Sequence, residues 1–133
     1  MVPHLNYESH PGKPLAVHTF GVRNKYTLNC QLSIGIVATL FHDVGKLNPN
    51  FQNKLKGIPV NGYSHHAYLS VLVLYNFILN NEQIALQMLH CEDRVTFKVK
   101  LIQTVAIIAL QHGNLPDLEQ LLNYAEIRRA VCF

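Results

Sequence analysis

A chain of 133 residues is the size of one domain and long enough to bury its own core, so residues 1–133 are expected to form a single unit. With 49% hydrophobic and 14% charged residues, the composition excludes a disordered or fibrous chain. The net charge of +3 permits contact with a polyanion without arguing for one, and the 8 histidines are the unusual feature.

Residues 1–14 carry Pro3, Pro11, Gly12 and Pro14, which predicts an irregular lead-in with His4 and His10 solvated. A helix is expected from near Leu15, carrying His18 and Val22. The next runs from about Thr27 to Val44. Its apolar positions Leu28, Leu32, Ile36 and Leu40 recur every fourth residue, and Asp43 continues that face. Gly45 supplies a stop. Asn48-Pro49 restarts the chain, and Phe51 opens a short helix that stops near Gly57-Ile58-Pro59. Asn61-Gly62 marks a turn. Ser64 then caps a helix from about His65 to Leu79, with Ala67, Val71, Leu74 and Ile78 inward. Asn80-Asn81 breaks it, and a helix from Glu82 to about His90 follows. The segment Val95, Thr96, Phe97, Val99 could pass for a strand, but the period after it is helical. The expected element is a helix from about Phe97 to His112, with Leu101, Val105 and Ile108 inward and His112 on the same face. Gly113 ends it, and Pro116-Asp117 opens a last helix to about Arg129. The class is all-α.

Cys30, Cys91 and Cys132 form no Cys-x-x-Cys pair and suit buried thiols in a reducing compartment better than a disulfide framework. No basic-then-apolar leader opens the chain, and its apolar runs are interrupted well short of a membrane span. The sequence therefore reads as cytoplasmic, with no membrane partner.

The stretch Phe41-His42-Asp43-Val44-Gly45-Lys46 carries the most chemistry. An adjacent His-Asp pair offers one imidazole nitrogen and one carboxylate oxygen, ligands that suit manganese, iron, nickel or zinc. The pair alone is common by chance, and a lone histidine on an apolar face is more often a satisfied core residue. The expectation of a metal rests on the set His18, His42, Asp43, His66 and His112. In a helical bundle such positions can converge on one pocket. Buried imidazoles also need a hydrogen bond or a metal. His65 should point away from His66, being roughly 100° round the helix. His90, beside a polar loop, is a weaker candidate.

The order of these segments resembles a known family. It runs Lys13-Pro14-Leu15 with His18 and Val22, then Leu40-Phe41-His42-Asp43-Val44-Gly45-Lys46, then Phe51-Gln52. Ser64-His65-His66-Ala67 follows, then Ile108-Ala109-Leu110-Gln111-His112-Gly113-Asn114-Leu115-Pro116. From about Lys13 to Asp117 this looks like the HD nuclease domain of the CRISPR type I effector nuclease-helicase, a branch of the HD phosphohydrolase superfamily.

The resemblance implies a compact helical bundle of the HD type. It implies one or two divalent ions (manganese, nickel, iron, magnesium or zinc) and phosphodiester hydrolysis, preferentially in single-stranded DNA, during CRISPR interference. The partners it implies are a helicase, here necessarily a separate polypeptide, and an RNA-guided surveillance complex. Carried over, His18, His42 and Asp43 match metal ligands, with Asp43 able to bridge two ions. His66 and His112 match ligands of the second ion. Asp43 and Lys46 match the catalytic centre, Lys46 as a phosphate contact that stabilises developing charge. A solvated helix-end lysine is the plainer reading of Lys46.

Two departures stand out. Gln111 replaces the first histidine of a His-His-Gly element, and an amide is a poorer ligand for a transition metal. The family's later aspartate has no obvious counterpart, since Asp117 lies too close to His112. A fragment, a split subunit or a degenerate, non-enzymatic HD copy therefore stands as an alternative, and the same His-Asp centre also suits a nucleotide phosphohydrolase of the wider superfamily. For nucleic acid, Lys13, Arg23, Lys25, Lys54 and Lys56 with Tyr26, Phe51 and Tyr63 could line a basic, aromatic groove. A scattered basic surface over core aromatics explains them equally well.

Overall fold

The apolar periods become helices in a computed structural model of the protein, which describes residues 6–29 and 32–111. Six α-helices lie among the described residues: α1 Leu15–Asn29, α2 Ser33–Phe41, α3 Pro49–Leu55, α4 His66–Asn80, α5 Glu82–Met88 and α6 Arg94–Leu110. A 3-10 helix, Val44–Leu47, joins α2 to α3. The fold is all-α but for a small antiparallel hairpin, β1 Glu8–His10 and β2 Lys13–Pro14.

The core sits where α2, α4 and α6 meet. Val37 and Ala38 face Leu74 and Ile78, and Phe97, Leu101, Val105 and Ile108 close the other side. Burying each large side chain contributes roughly 1.5–3 kcal/mol. α1 packs on α2, and α4 packs on both α6 and the 3-10 helix. The end of α2 and the start of α4 are thereby held together.

Several boundaries differ from the sequence expectation. Residues 8–14 are a hairpin rather than an irregular lead-in. Gly12, at φ 78°, supplies the left-handed turn residue, and Leu15 N–H donates to the Tyr7 carbonyl at 2.8 Å. Thr27 closes α1 instead of opening α2. The expected stripe of α2 is also rotated, because Leu28 and Leu32 are exposed while Ser33, Gly35, Val37 and Ala38 are buried. Small residues win that face because neighbouring elements press close. A Cβ on Gly35 would collide with the Tyr26 ring. α2 stops at Phe41, so Asp43 reaches the interior from a turn (φ −113°, ψ 3°) rather than from a helical face.

α4 opens at His66 with His65, not Ser64, at its cap. α6 opens earlier than expected because Asp93 accepts from Thr96 N–H at 2.8 Å. That capping contact draws Val95 and Thr96 into the helix, against their strand propensity. The expected helix from Pro116 to Arg129, Asp117 and His112 lie outside the described residues. Among the described residues no helix is long and apolar enough to cross a membrane.

Candidate metal centre

Asp43 is the hub. Its turn is held by groups that satisfy the backbone left over where α2 ends. Ser70 of α4, fully buried, accepts from Gly45 N–H at 2.8 Å and donates to the His42 carbonyl at 2.9 Å. The Gln111 amide donates to the same carbonyl at 2.7 Å. Gly45 itself leaves no room for a side chain, since a Cβ there would collide with the His66 carbonyl. The first turn of α4 can therefore lie directly against the His-Asp turn.

Four side chains from three segments converge on the Asp43 carboxylate, which is 1% exposed. His18 Nε2 of α1 lies 3.1 Å from Oδ2, and His42 Nε2 lies 3.4 Å from it. Lys46 Nζ lies 2.8 Å from the same oxygen. His66 Nε2 of α4 approaches the other oxygen, Oδ1, at 3.4 Å. The His66 ring is braced edge-on by Phe51, with 5.0 Å between centroids.

The tautomer of His42 follows from its partner. A backbone carbonyl only accepts, so the Nδ1 that lies 2.7 Å from Thr39 O must be the donor. Neutral His42 then points the Nε2 lone pair at a carboxylate oxygen. Two acceptors facing each other need a proton or a cation between them. Metal-bound histidines are oriented by the same Nδ1–H to carbonyl contact. Asp43 Oδ1 and His18 Nδ1 are buried without a hydrogen-bond partner among the described residues, the His66 contact being close in distance only. One candidate ligand atom each from His18, His42 and Asp43 lies within 4.8 Å of the others, so this group could hold a metal ion. Ligand atoms sharing one ion at bonds of ~2.0–2.2 Å stand roughly 3–3.5 Å apart, and His18 and His42 stand that far from Oδ2.

The local field favours the ligand forms. Burial outweighs the attraction of Asp43 and holds the His18 imidazole below its ordinary 6.5, with His42 and Lys46 adding to the depression. Burial alone would push the Asp43 carboxyl up. The Lys46 hydrogen bond, then the His42, Lys46 and His66 charges, outweigh it and keep the group below 3.8.

Four of the five expected ligands therefore come together, and the fifth, His112, lies outside the described residues. Lys46 is not a solvated helix-end lysine, being 4% exposed and bonded to Asp43 and the Ser9 carbonyl. Gln111 uses its amide nitrogen behind the site, on the backbone of His42. His65 is exposed and lies 4.8 Å from the Tyr68 ring, but it does not point away from His66 as expected, since the two imidazole rings lie nearly parallel with centroids 6.4 Å apart. His90 is exposed in the turn after α5, at φ 51°, outside the His-Asp group.

Lys13, Lys25, Lys54 and Lys56 are exposed and Arg23 is half-buried. Phe51 braces His66 and lies 5.7 Å beneath the Lys46 ammonium, so it supports the centre instead of offering a free platform. Tyr63 is 56% exposed and Tyr26 packs over Gly35.

Sequence reasoning missed Thr39, Ser70, Ser9 and the rim position of His10. His10 stays exposed, yet its ring lies 5.3 Å from that of His18. Only Ser70 left a readable signal, a polar residue on the inward stripe between Ala67 and Leu74. Compared with protein-family models, with curated proteins and with solved structures, the chain matches none.

Proposed function

We propose that the protein is a metal-dependent phosphodiesterase that cuts single-stranded DNA. In this reading it is an HD-type nuclease domain acting in CRISPR interference with a helicase and an RNA-guided complex. The observation that carries the metal-dependent part is the convergence of His18, His42 and His66 on the two oxygens of buried Asp43. The substrate and the partners rest on the order of the sequence motifs.

His18, His42 and Asp43 Oδ2 would hold one divalent ion. Asp43 Oδ1 and His66 would contribute to a second. When bound, such ions supply Lewis acidity and a water acidic enough to attack at neutral pH. The chain's own work is positional. Thr39 fixes the His42 ring, Ser70 fixes the His-Asp turn, and Phe51 fixes the His66 ring. Lys46 would supply a positive charge beside the centre for a phosphate oxygen that develops charge.

A second reading rests on the same Lys46. Its ammonium already neutralises Asp43 at 2.8 Å, as expected of a non-catalytic HD subunit that keeps the fold without the ion. Elemental analysis of the purified protein, joined to cleavage assays on single-stranded DNA with manganese, nickel, iron, magnesium or zinc, separates the two. Bound metal with metal-dependent cleavage is expected. A protein that takes up no metal and cleaves no DNA would instead favour the second reading. Metal-dependent hydrolysis of nucleotides without DNA cleavage would point to the nucleotide phosphohydrolase.

A further inference from the structure

A buried glutamine outside the ligand set closes a ring of hydrogen bonds around Lys46. Gln52 of α3 is 6% exposed. Its Nε2 donates to the Lys46 carbonyl at 2.7 Å and to the Glu8 carbonyl at 2.9 Å. Its Oε1 accepts from Glu8 N–H at 3.1 Å. Both amide hydrogens and the amide oxygen are therefore engaged. Toward Glu8 the side chain imitates a neighbouring strand, offering a donor and an acceptor to one residue of β1.

The next residue of β1 completes the ring. The Ser9 carbonyl accepts from Lys46 Nζ at 3.2 Å, and the same ammonium reaches Asp43 Oδ2 at 2.8 Å. Both ends of Lys46 are thereby tied, its carbonyl directly by Gln52 and its ammonium by a strand that Gln52 holds.

We infer that Gln52 is a positioning residue that seats the Lys46 ammonium on Asp43 by locking β1 to the turn carrying Lys46. What the seating serves rests on the metal-centre reading; the seating itself does not. No near relative of glutamine does the same work. Glutamate keeps the acceptor for Glu8 N–H but turns an oxygen toward two carbonyls. Methionine keeps the volume without donors. Asparagine is one methylene too short to hold the same contacts from the same helix position.

The test reads the accessibility of each lysine amine in the intact chain. Reductive methylation with formaldehyde and a borane, followed by peptide mass mapping, gives a rate for Lys46 and for Lys100. Lys100 serves as an internal reference, because its ammonium is bound to the Leu89 carbonyl at 2.7 Å, in an arrangement independent of the ring. In Gln52→Met the Lys46 rate should rise about tenfold or more, with Lys100 unchanged, as local opening without global loosening requires. Gln52→Glu should behave alike.

Lys46 remaining protected in Gln52→Met would show that packing suffices and overturn the inference. Equal acceleration of Lys46 and Lys100, or loss of helical circular dichroism in both variants, would make Gln52 a general folding residue and overturn it as well. The labelling uses no metal. A wild-type protein that takes up no manganese would therefore sink the metal reading and leave the role of Gln52 to be decided by the lysine rates.

Discussion

Lys46 Nζ lies 2.8 Å from Asp43 Oδ2, with the two side chains 5% and 2% exposed, on the oxygen that His18 and His42 also approach. A cation of the protein thus sits where a divalent ion would bind. Lys46→Met removes it and strands a buried carboxylate. Breaking such a pair costs ~3–5 kcal/mol. We expect the metal-free variant to unfold at distinctly lower urea than the wild type, and manganese to restore much of the loss. Manganese affinity should rise about tenfold or more as the competing charge-assisted bond is lost, while cleavage falls. Equal manganese affinity in the two proteins, by isothermal titration, would show that Lys46 and the ion do not share Asp43.

Asp43 is the acidic member of the ligand group, and its two oxygens face different imidazoles. Asp43→Ala alone would leave the Lys46 ammonium buried without its anion, at a cost of several kcal/mol, roughly 3–5. The informative protein is Asp43→Ala combined with Lys46→Met. It should keep its helical circular dichroism and take up no manganese, iron, nickel or zinc. Retention of one ion per chain would place the metal elsewhere.

Where the sequence was legible, an apolar period was at work. The stripes Leu74–Ile78 and Leu101–Val105–Ile108 are core, and the His-Asp pair, His18 and His66, expected at helix ends or on apolar faces, lie together. The hairpin was illegible because its strand partner is partly a side chain, that of Gln52, 44 residues away in sequence. The stripe of α2 was misread because a period of four fits more than one face, and close packing against Tyr26 selected the small residues. Lys46 was ambiguous for a related reason. Nothing local says that a lysine after a helix end will meet the carbonyl of Ser9.

Acid should weaken the metal-free fold in two windows. Burial first of all lowers the folded-state His18 below 6.5, so the unfolded chain takes up a proton that the folded chain resists. Stability is then fully present above 6.5 and falls as pH drops toward the folded value. Asp43 has the same sign lower down. Its folded carboxyl stays ionised below 3.8, and that stabilisation is lost as pH falls through the folded value. Urea unfolding between about pH 7.5 and 5 should show declining stability in the wild type and a flatter profile in His18→Gln. A wild-type profile as flat as that of the variant would remove His18 from the account.

Gly45 tests whether the approach of α4 sets the site. A Cβ there would collide with the His66 carbonyl and crowd the Leu69 side chain and Ser70 N at 2.8 Å. Neither backbone group can turn aside, so Gly45→Ala must push the first turn of α4 outward. Overpacking of this kind costs roughly 1–3 kcal/mol. The chemical effect should exceed that cost, because the displaced turn carries His66 away from Asp43 Oδ1 and breaks the Gly45–Ser70 bond. His18, His42 and Oδ2 lie on the other side of the carboxylate and should keep their ion. We therefore expect Gly45→Ala to retain one manganese of near wild-type affinity while losing any second ion and most cleavage. Loss of the first ion as well would mean that the hold of Ser70 on the His-Asp turn is needed for binding at Oδ2. Unchanged stoichiometry and cleavage would mean that His66 takes no part.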